Sequence, residues 1–248
     1  MISIFRKKQY LIDYLEGITD IHNHILPGID DGAQNVTDSI ELLDRFYDLG
    51  ITKFIATPHI MNDYYPNTPE TINSALSLLQ NEINNNEKLK NTDIRYAAEY
   101  MMDQNFLELV ENEELLTLKD NMVLVEMSYF QAPINLNQIL FRLQTKGYKP
   151  VLAHPERYAF YHTKDLTKYE ELKNRGCLFQ LNTLSLTPHY GGNMQKIAYK
   201  LLEKGMIDFI GSDTHRIQHI EKLSNIVINR KLNESLLKII SNTKEKFS

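Results

Sequence analysis

Two kinds of apolar block alternate along the chain. One kind is short and continuous, at 18–22, 52–59, 94–99, 122–127, 150–154, 177–182 and 207–215. Runs of that length between turn residues read as buried strands. The other kind is longer, with apolar positions every three to four residues, which predicts helices with one buried face. Val36, Ile40, Leu43 and Tyr47 share a face of a helix over 36–49, with Asn35 as its N-cap. Ile72, Leu76, Leu79 and Ile83 share a face of a second, which opens at Thr68-Pro69. Further helices are expected over 105–111, 136–146, 166–175, 194–204, 220–227 and 234–241. Gly50, Gly147, Gly176 and Gly205 each stand between the end of a helix and the start of a strand. Strict alternation predicts an α/β fold of parallel strands with helical crossovers. A barrel and an open doubly wound sheet both satisfy it. No linker interrupts the pattern, so 1–248 is expected to be a single domain. Residues 1–17 form an N-terminal extension with a short amphipathic helix around 10–15.

The residues that end the strands change this picture. The first strand runs into Asp20-Ile21-His22-Asn23-His24. Residues i and i+2 of a strand share a face, so Asp20, His22 and His24 are expected to project together. The other strands end at His59, Glu99, Glu126, His154, Asn182, and Asp213 with His215. Imidazoles and carboxylates are the donor set of a borderline divalent metal. Glu126 lies inside Val-Leu-Val-Glu-Met, where a carboxylate without a cation or donor costs several kcal/mol. Taken singly, Glu99, Glu126 or His154 reads better as a hydrogen-bonded core group; the recurrence of metal-competent side chains at one end of six of the seven strands, all but the one that ends at Asn182, does not. Barrels gather their sites from many strand ends at the C-terminal face. An open sheet uses only the strands beside its switch point. The recurrence therefore favours a closed or nearly closed barrel.

Composition narrows the functional classes. Hydrophobic residues make up 42% and charged residues 24%, as in ordinary globular proteins. The net charge is −5 and the basic residues are scattered, which argues against nucleic acid. No apolar run reaches the roughly 18 residues of a membrane span, so no membrane insertion is expected. No signal-peptide pattern follows the first residues. The one cysteine, Cys177, has no partner in the chain and sits in an apolar strand, which points to a reducing cytoplasm.

Asp-Ile-His-Asn-His, Thr-Pro-His, Ala-Glu-Tyr, Val-Glu-Met, Ala-His-Pro-Glu-Arg-Tyr and Gly-Ser-Asp-Thr-His together resemble the polymerase-and-histidinol-phosphatase (PHP) superfamily. Within it, His-Ile-Leu-Pro-Gly-Ile-Asp-Asp-Gly-Ala and His-Pro-Glu-Arg-Tyr resemble the bacterial CpsB/YwqE-type protein-tyrosine phosphatases, over about residues 18 to 216. The resemblance implies a distorted (β/α)7 TIM-like barrel and three divalent metal ions, manganese foremost, with iron, magnesium or zinc as alternatives. It implies that His22, His24, Glu99 and Asp213 hold one ion. Glu99 would bridge to a second with His59 and His154, and Asp31, Glu126 and His215 would surround the third. Either carboxylate of the Asp30-Asp31 pair satisfies that pattern, and Asp31 is favoured. Arg157 matches the phosphate-binding arginine, with a surface ion pair to Glu156 as its plainer reading. Arg216 departs from the pattern by following the Asp-Thr-His motif directly, and is the second candidate phosphate contact. His219 reads as surface, and Tyr129 and Tyr158 as lining of the mouth for an aryl group, with packing at the barrel rim as their plainer reading.

The implied activity is metal-dependent hydrolysis of phosphotyrosine, with Arg157, Asp31 and His215 as catalytic residues. A clustered metal site brings the pKa of bound water from about 15.7 toward 7. The implied substrate is the tail of a bacterial tyrosine autokinase controlling capsule or exopolysaccharide export. Histidinol-phosphatase or another small-molecule phosphoesterase of the superfamily shares the metals and the reaction. A barrel amidohydrolase and a non-catalytic metal-stabilised binding module are the more distant alternatives. Cys177 lacks the Cys-x5-Arg context of thiol phosphatases.

Overall fold

The structure is a computed structural model that describes residues 8–112, 115–163 and 165–248. Among the described residues, nine strands occupy the seven predicted strand positions: β1 (Thr19–Asp20), β2 (Lys53–Ala56), β3 (His59–Ile60), β4 (Asp93–Tyr96), β5 (Glu99–Met101), β6 (Met122–Glu126), β7 (Lys149–Ala153), β8 (Leu178–Asn182) and β9 (Phe209–Gly211). All pair in parallel, in two sheets ordered β1-β2-β4 and β3-β5-β6-β7-β8-β9. Two predicted strands are thus each cut in two. The first cut falls at Thr57-Pro58, where proline has no N–H for the ladder. The second falls opposite it, at Ala97-Ala98. Ala56 still faces Tyr96 and His59 still faces Glu99, so register passes through the break.

The barrel closes where the last strand meets the first. Asp213 N donates to His22 O at 2.7 Å, His24 N donates to Thr214 O at 2.9 Å, and Asn23 bridges Thr214 in parallel. Asp20 is turned into this seam. Its carboxylate accepts from Ser212 N at 2.9 Å and from Ser212 Oγ at 2.6 Å. β1 ends at Asp20, so the two-residue alternation that would carry Asp20 to the same place as His22 and His24 stops there.

The helices are α1 (Val36–Asp48), α2 (Pro69–Asn84), α3 (Phe106–Asn112), α4 (Leu136–Thr145), α5 (Thr167–Asn174), α6 (Gly192–Glu203), α7 (Ile217–Leu223) and α8 (Asn233–Phe247). Asn35 and Thr68 cap the first two, accepting from Asp38 N and Thr71 N. Gly50, Gly147, Gly176 and Gly205 all have positive φ, the backbone turn that stops a helix. α8 runs further than its sequence pattern predicts, and Phe247 packs on Phe209 with ring centroids 5.0 Å apart. Phe247 belongs to the small cluster of Ile21, Ile55, Ala97, Leu124, Val151 and Phe209, which fills the barrel below the site. The outward side chains Val123, Val125, Leu152, Phe179 and Leu181 join the main core with the helices. In the N-terminal extension, Leu11–Tyr14 is a single 3-10 turn. Leu11 is buried and its N–H donates to Ile226 O at 2.8 Å. Among the described residues no helix is long and apolar enough to cross a membrane.

Candidate metal centre

The side chains that face the barrel interior alternate along each strand, and at the C-terminal end they become polar. Met122 and Leu124 lead to Glu126, Gln180 to Asn182, and Ala97 to Glu99. His22, His24, Glu99, Glu126, His154 and Asp213 are all buried there. Glu99 is central. Its Oε2 lies 3.1 Å from His22 Nε2, 3.2 Å from His59 Nδ1 and 3.5 Å from His24 Nε2. Its Oε1 lies 3.1 Å from His154 Nε2. Asp213 Oδ1 lies 3.5 Å from His22 Nε2 and 3.4 Å from His24 Nε2. Glu126 Oε1 is 2.9 Å from His59 Nδ1. Asp31 Oδ1 is 3.5 Å from His59 Nε2 and 3.3 Å from His215 Nε2.

These close approaches are mostly not hydrogen bonds. His22 Nε2, His24 Nε2, His59 Nδ1, Glu99 Oε2 and Glu126 Oε1 are buried and have no hydrogen-bond partner. Orphaned buried polar atoms cost about 1–3 kcal/mol each, more when charged. Several of them pointing at one another fit cations between them. Two donors bound to one ion at about 2.1 Å stand about 3.0–3.4 Å apart, close to the separations found here. Four overlapping groups result: His22, His24 and Glu99; His22, His154 and Asp213; His59, Glu99 and Glu126; and His24, Asp31, His59 and His215. The grouping differs from the one the resemblance implies. Glu126 falls with His59 and Glu99 rather than with Asp31 and His215, and His59 reaches both groups through its two ring nitrogens.

A surrounding layer orients the donors. His22 Nδ1 lies 2.8 Å from Gln180 Oε1, His24 Nδ1 lies 2.7 Å from Asp30 Oδ2, and His215 Nδ1 lies 2.9 Å from Asp213 O. With the N–H on Nδ1, each ring turns an Nε2 lone pair inward. Asp30 and Asp31 therefore separate by position. Asp30 is buried, and also accepts from Gly32 N at 2.9 Å and His59 N at 3.2 Å. The Asp31 side chain is 49% exposed at the open edge. A Cβ on Gly32 would stand 2.1 Å from His24 O, so only glycine lets the loop close over that histidine. His154 and Asp213 have φ of 34° and 51°, left-handed values rare for such residues and typical of functional positions.

Without cations, the carboxylates favour protons on His22, His24 and His59, whereas burial and Arg157 lower His154. Burial opposes the charge on His59, but Glu126 and Glu99 outweigh it and lift its pKa to about 9. Burial likewise opposes the charge on His24, and Asp30, Asp213 and Glu99 hold its pKa well above the usual value. Burial would raise Glu99, yet His22, His59 and His154 hold it well below the carboxylate range. A cluster with this much unbalanced charge is suited to exchanging protons for metal.

The centre floors a cavity of about 830 Å³ that also holds Arg157 and Arg216. Arg157 pairs with Asp213, Nη1 to Oδ2 at 2.7 Å, rather than with Glu156. Its guanidinium lies between the rings of Tyr190, at 4.1 Å, and Tyr129, at 4.7 Å. Glu156 is buried and accepts from Asn182 N at 3.0 Å. Burial raises the Glu156 carboxyl to about 7. Asn182 Nδ2 donates to Asp213 Oδ2 at 2.8 Å and to Tyr190 Oη at 3.1 Å. Arg216 is exposed at the mouth, and its guanidinium makes no ion pair among the described residues. His219 also lines the cavity, and its Nδ1 accepts from His215 N at 3.3 Å. Tyr158 is buried, and its hydroxyl accepts from Met127 N at 3.0 Å.

The profile of the family described as "Capsular polysaccharide synthesis, CpsB/CapC" matches residues 18–246. The chain belongs to that family. CapC of Staphylococcus aureus is 33% identical over 203 residues, covering 81% of this chain and 78% of that protein. The tyrosine-protein phosphatase YwqE of Bacillus subtilis is 33% identical over 204 residues, covering 80% and 78%. A crystal structure from work on YwqE of Bacillus subtilis and CpsB of Streptococcus pneumoniae, called metal-dependent tyrosine phosphatases, superposes with a TM-score of 0.81 at 28% identity, covering 93% of this chain and 94% of that one. The PHP-type barrel and the CpsB/YwqE resemblance drawn from the motifs agree with these findings.

For this family member, all nine sequence-predicted metal ligands reach one face of the barrel, and Arg157 and Arg216 line the same cavity. Sequence reasoning missed the residues that hold the donors: Gln180, Asp30 in its orienting place, Asn182 as a tether on Asp213, and Tyr190 against Arg157. The two-residue step from Gln180 to Asn182 was a usable signal, since both sit in an otherwise apolar strand. Tyr190 carried none, because its loop reaches the site only through the fold.

Proposed function

We propose that this chain is a metal-dependent protein-tyrosine phosphatase. On this reading the four overlapping groups hold three divalent ions, manganese foremost, through His22, His24, Asp31, His59, Glu99, Glu126, His154, Asp213 and His215. The substrate is a phosphotyrosine protein, the tail of a bacterial tyrosine autokinase in capsule or exopolysaccharide regulation, met in the cytoplasm. The observation that carries the reading is the convergence of unpartnered buried imidazole and carboxylate atoms beside Arg157 in an open cavity. Divalent cations supply Lewis acidity there, acidifying water and neutralising phosphoryl charge.

The chain's own residues do the rest. Arg157 offers a planar fork to two phosphoryl oxygens. Tyr129 and Tyr190 fix the plane of that fork, and Asp213 sets its position through the 2.7 Å ion pair. Asp31 and His215 stand at the edge open to water, where the attacking water enters and its proton leaves. A phenolate departs with a parent pKa of about 10, so it needs little help from a general acid. The names of the relatives and the structural match support tyrosine phosphatase over histidinol-phosphatase.

The test is phosphate release from a phosphotyrosyl peptide by manganese-loaded protein, with histidinol phosphate run in parallel. Turnover of the peptide, lost on chelation and in His22→Ala, is expected. Turnover of histidinol phosphate alone would move the function to the rival phosphatase. Retained activity in metal-depleted His22→Ala would refute the site.

A further inference from the structure

The walls of the cavity are chemically divided. The phosphate-facing side is made by the ends of β7, β8 and β9 and carries Arg157, Tyr190 and Arg216. The ends of β3, β5 and β6, three neighbours in sheet order, supply a different lining. There the cavity meets the apolar side chains of Met61, Tyr64, Met101, Phe130, Ala132 and Pro133, with Asp63, Asp103, Ser128 and Gln131 set among them. Tyr64 is 74% exposed and Phe130 93% exposed. Ile134, next along the same loop, is fully exposed. An aromatic ring left in water beside a concave site is the mark of a binding surface rather than of packing. The arc is continuous with the metal cavity, so what covers it is held by the same molecule that enters the site.

We infer that the 130–134 loop, with Tyr64 and Met101, is a docking lip for a large apolar side chain of a phosphotyrosyl peptide next to its phosphotyrosine. The inference rests on the tyrosine-phosphatase reading and goes beyond it to substrate choice. The phosphate is held at the Arg157 side while the peptide leaves the cavity across the opposite wall. There an adjacent Leu, Ile or Phe buries Phe130 and the methionines, whose flexible side chains adapt to different shapes. Alanine or glycine neighbours leave the lip in water. The lip acts on binding and leaves the chemistry at the metals alone.

The test compares two phosphotyrosyl peptides that differ only in having Leu or Ala on both sides of the phosphotyrosine. Wild type and Phe130→Ser are assayed with manganese, and p-nitrophenyl phosphate serves as a substrate without flanks. Wild type is expected to prefer the Leu peptide by about tenfold in kcat/KM, carried by KM. In Phe130→Ser that ratio is expected to fall to about one. Turnover of p-nitrophenyl phosphate by the variant reports an assembled site. Equal efficiency on both peptides in wild type, or an unchanged preference in Phe130→Ser, overturns the lip while leaving the phosphatase reading intact. Hydrolysis of none of the three substrates overturns the phosphatase reading and the lip with it. A wild-type dimer by light scattering that becomes a monomer in Phe130→Ser overturns the lip in favour of self-association.

Discussion

Asp30 and Asp31 are adjacent in sequence and opposite in placement, one buried and one exposed, and on the proposed reading exchanging each for asparagine separates an orienting role from a ligating one. Asp30 Oδ2 lies 2.7 Å from His24 Nδ1 while Oδ1 accepts from Gly32 N at 2.9 Å. An asparagine keeps only one acceptor. If its amide NH2 faces Gly32 N–H, two donors collide. If it faces His24, the ring must accept on Nδ1 and carry its proton on Nε2, the atom turned toward Glu99 and Asp213. A buried hydrogen bond to a charged group is worth about 1.5–3 kcal/mol. That converts to about 10–100-fold in metal affinity, the range found for outer-layer partners of metal ligands. Asp31→Asn instead weakens a direct donor at the exposed edge. The assay is metal content against buffered free manganese, with kcat measured at saturating metal. Asp30→Asn is expected to need about 10–100 times more manganese and then to recover kcat to within about tenfold. Asp31→Asn is expected to lose one equivalent of metal where wild type is saturated, with kcat not recovering. Recovery by Asp31→Asn but not by Asp30→Asn would refute the assignment of roles, as would wild-type affinity in Asp30→Asn.

Four further outcomes follow from the same structure. His59 has a metal-free pKa raised to about 9, so at neutral pH its proton must leave before it ligates. Manganese uptake in weak buffer is expected to release protons, and affinity to fall about tenfold per pH unit for each proton displaced; uptake without release contradicts the cluster. The raised pKa also stabilises the metal-free fold fully below about 6.5 and is lost as pH rises through 9, so the melting temperature of the chelated protein is expected to fall across that window. Arg157→Lys keeps the charge but loses the planar fork, and is expected to cost about 10–100-fold in kcat/KM on aryl phosphates; unchanged kinetics would remove Arg157 from phosphate binding. Cys177 is buried and burial pushes its thiol up to about 12, so Cys177→Ala and iodoacetamide treatment are both expected to leave turnover within about twofold, and abolition by either would contradict a thiol-independent reaction.

The sequence by itself determined the architecture and most of the donor set. Alternation of short apolar runs with amphipathic helices is a local signal, and so is a helix that ends in glycine just before a strand. Polar residues at the ends of buried strands are equally local, because an apolar run that stops at His or Glu shows its chemistry without any contact being known. That is why the barrel, His22, His24, His59, Glu99, Glu126, His154 and Asp213 were all legible. Tertiary structure alone decided which of these side chains come together in one candidate cation group. Glu126 meets His59 because β6 lies beside β5, which lies beside β3 in the sheet, a neighbourhood that no sequence spacing encodes. It also decided Asp20, which two-residue alternation assigned to the metal face. The strand stops at that residue, and barrel closure turns its carboxylate to Ser212 across the seam. Asp30 and Asp31 divided in the same way: both are carboxylates on one loop, and only the approach of Gly32 to His24 buries the first and leaves the second at the edge. The clamp of Tyr190 on Arg157 joins loops after different strands. Local pattern sets which residues are made available, and long-range closure sets which of them meet.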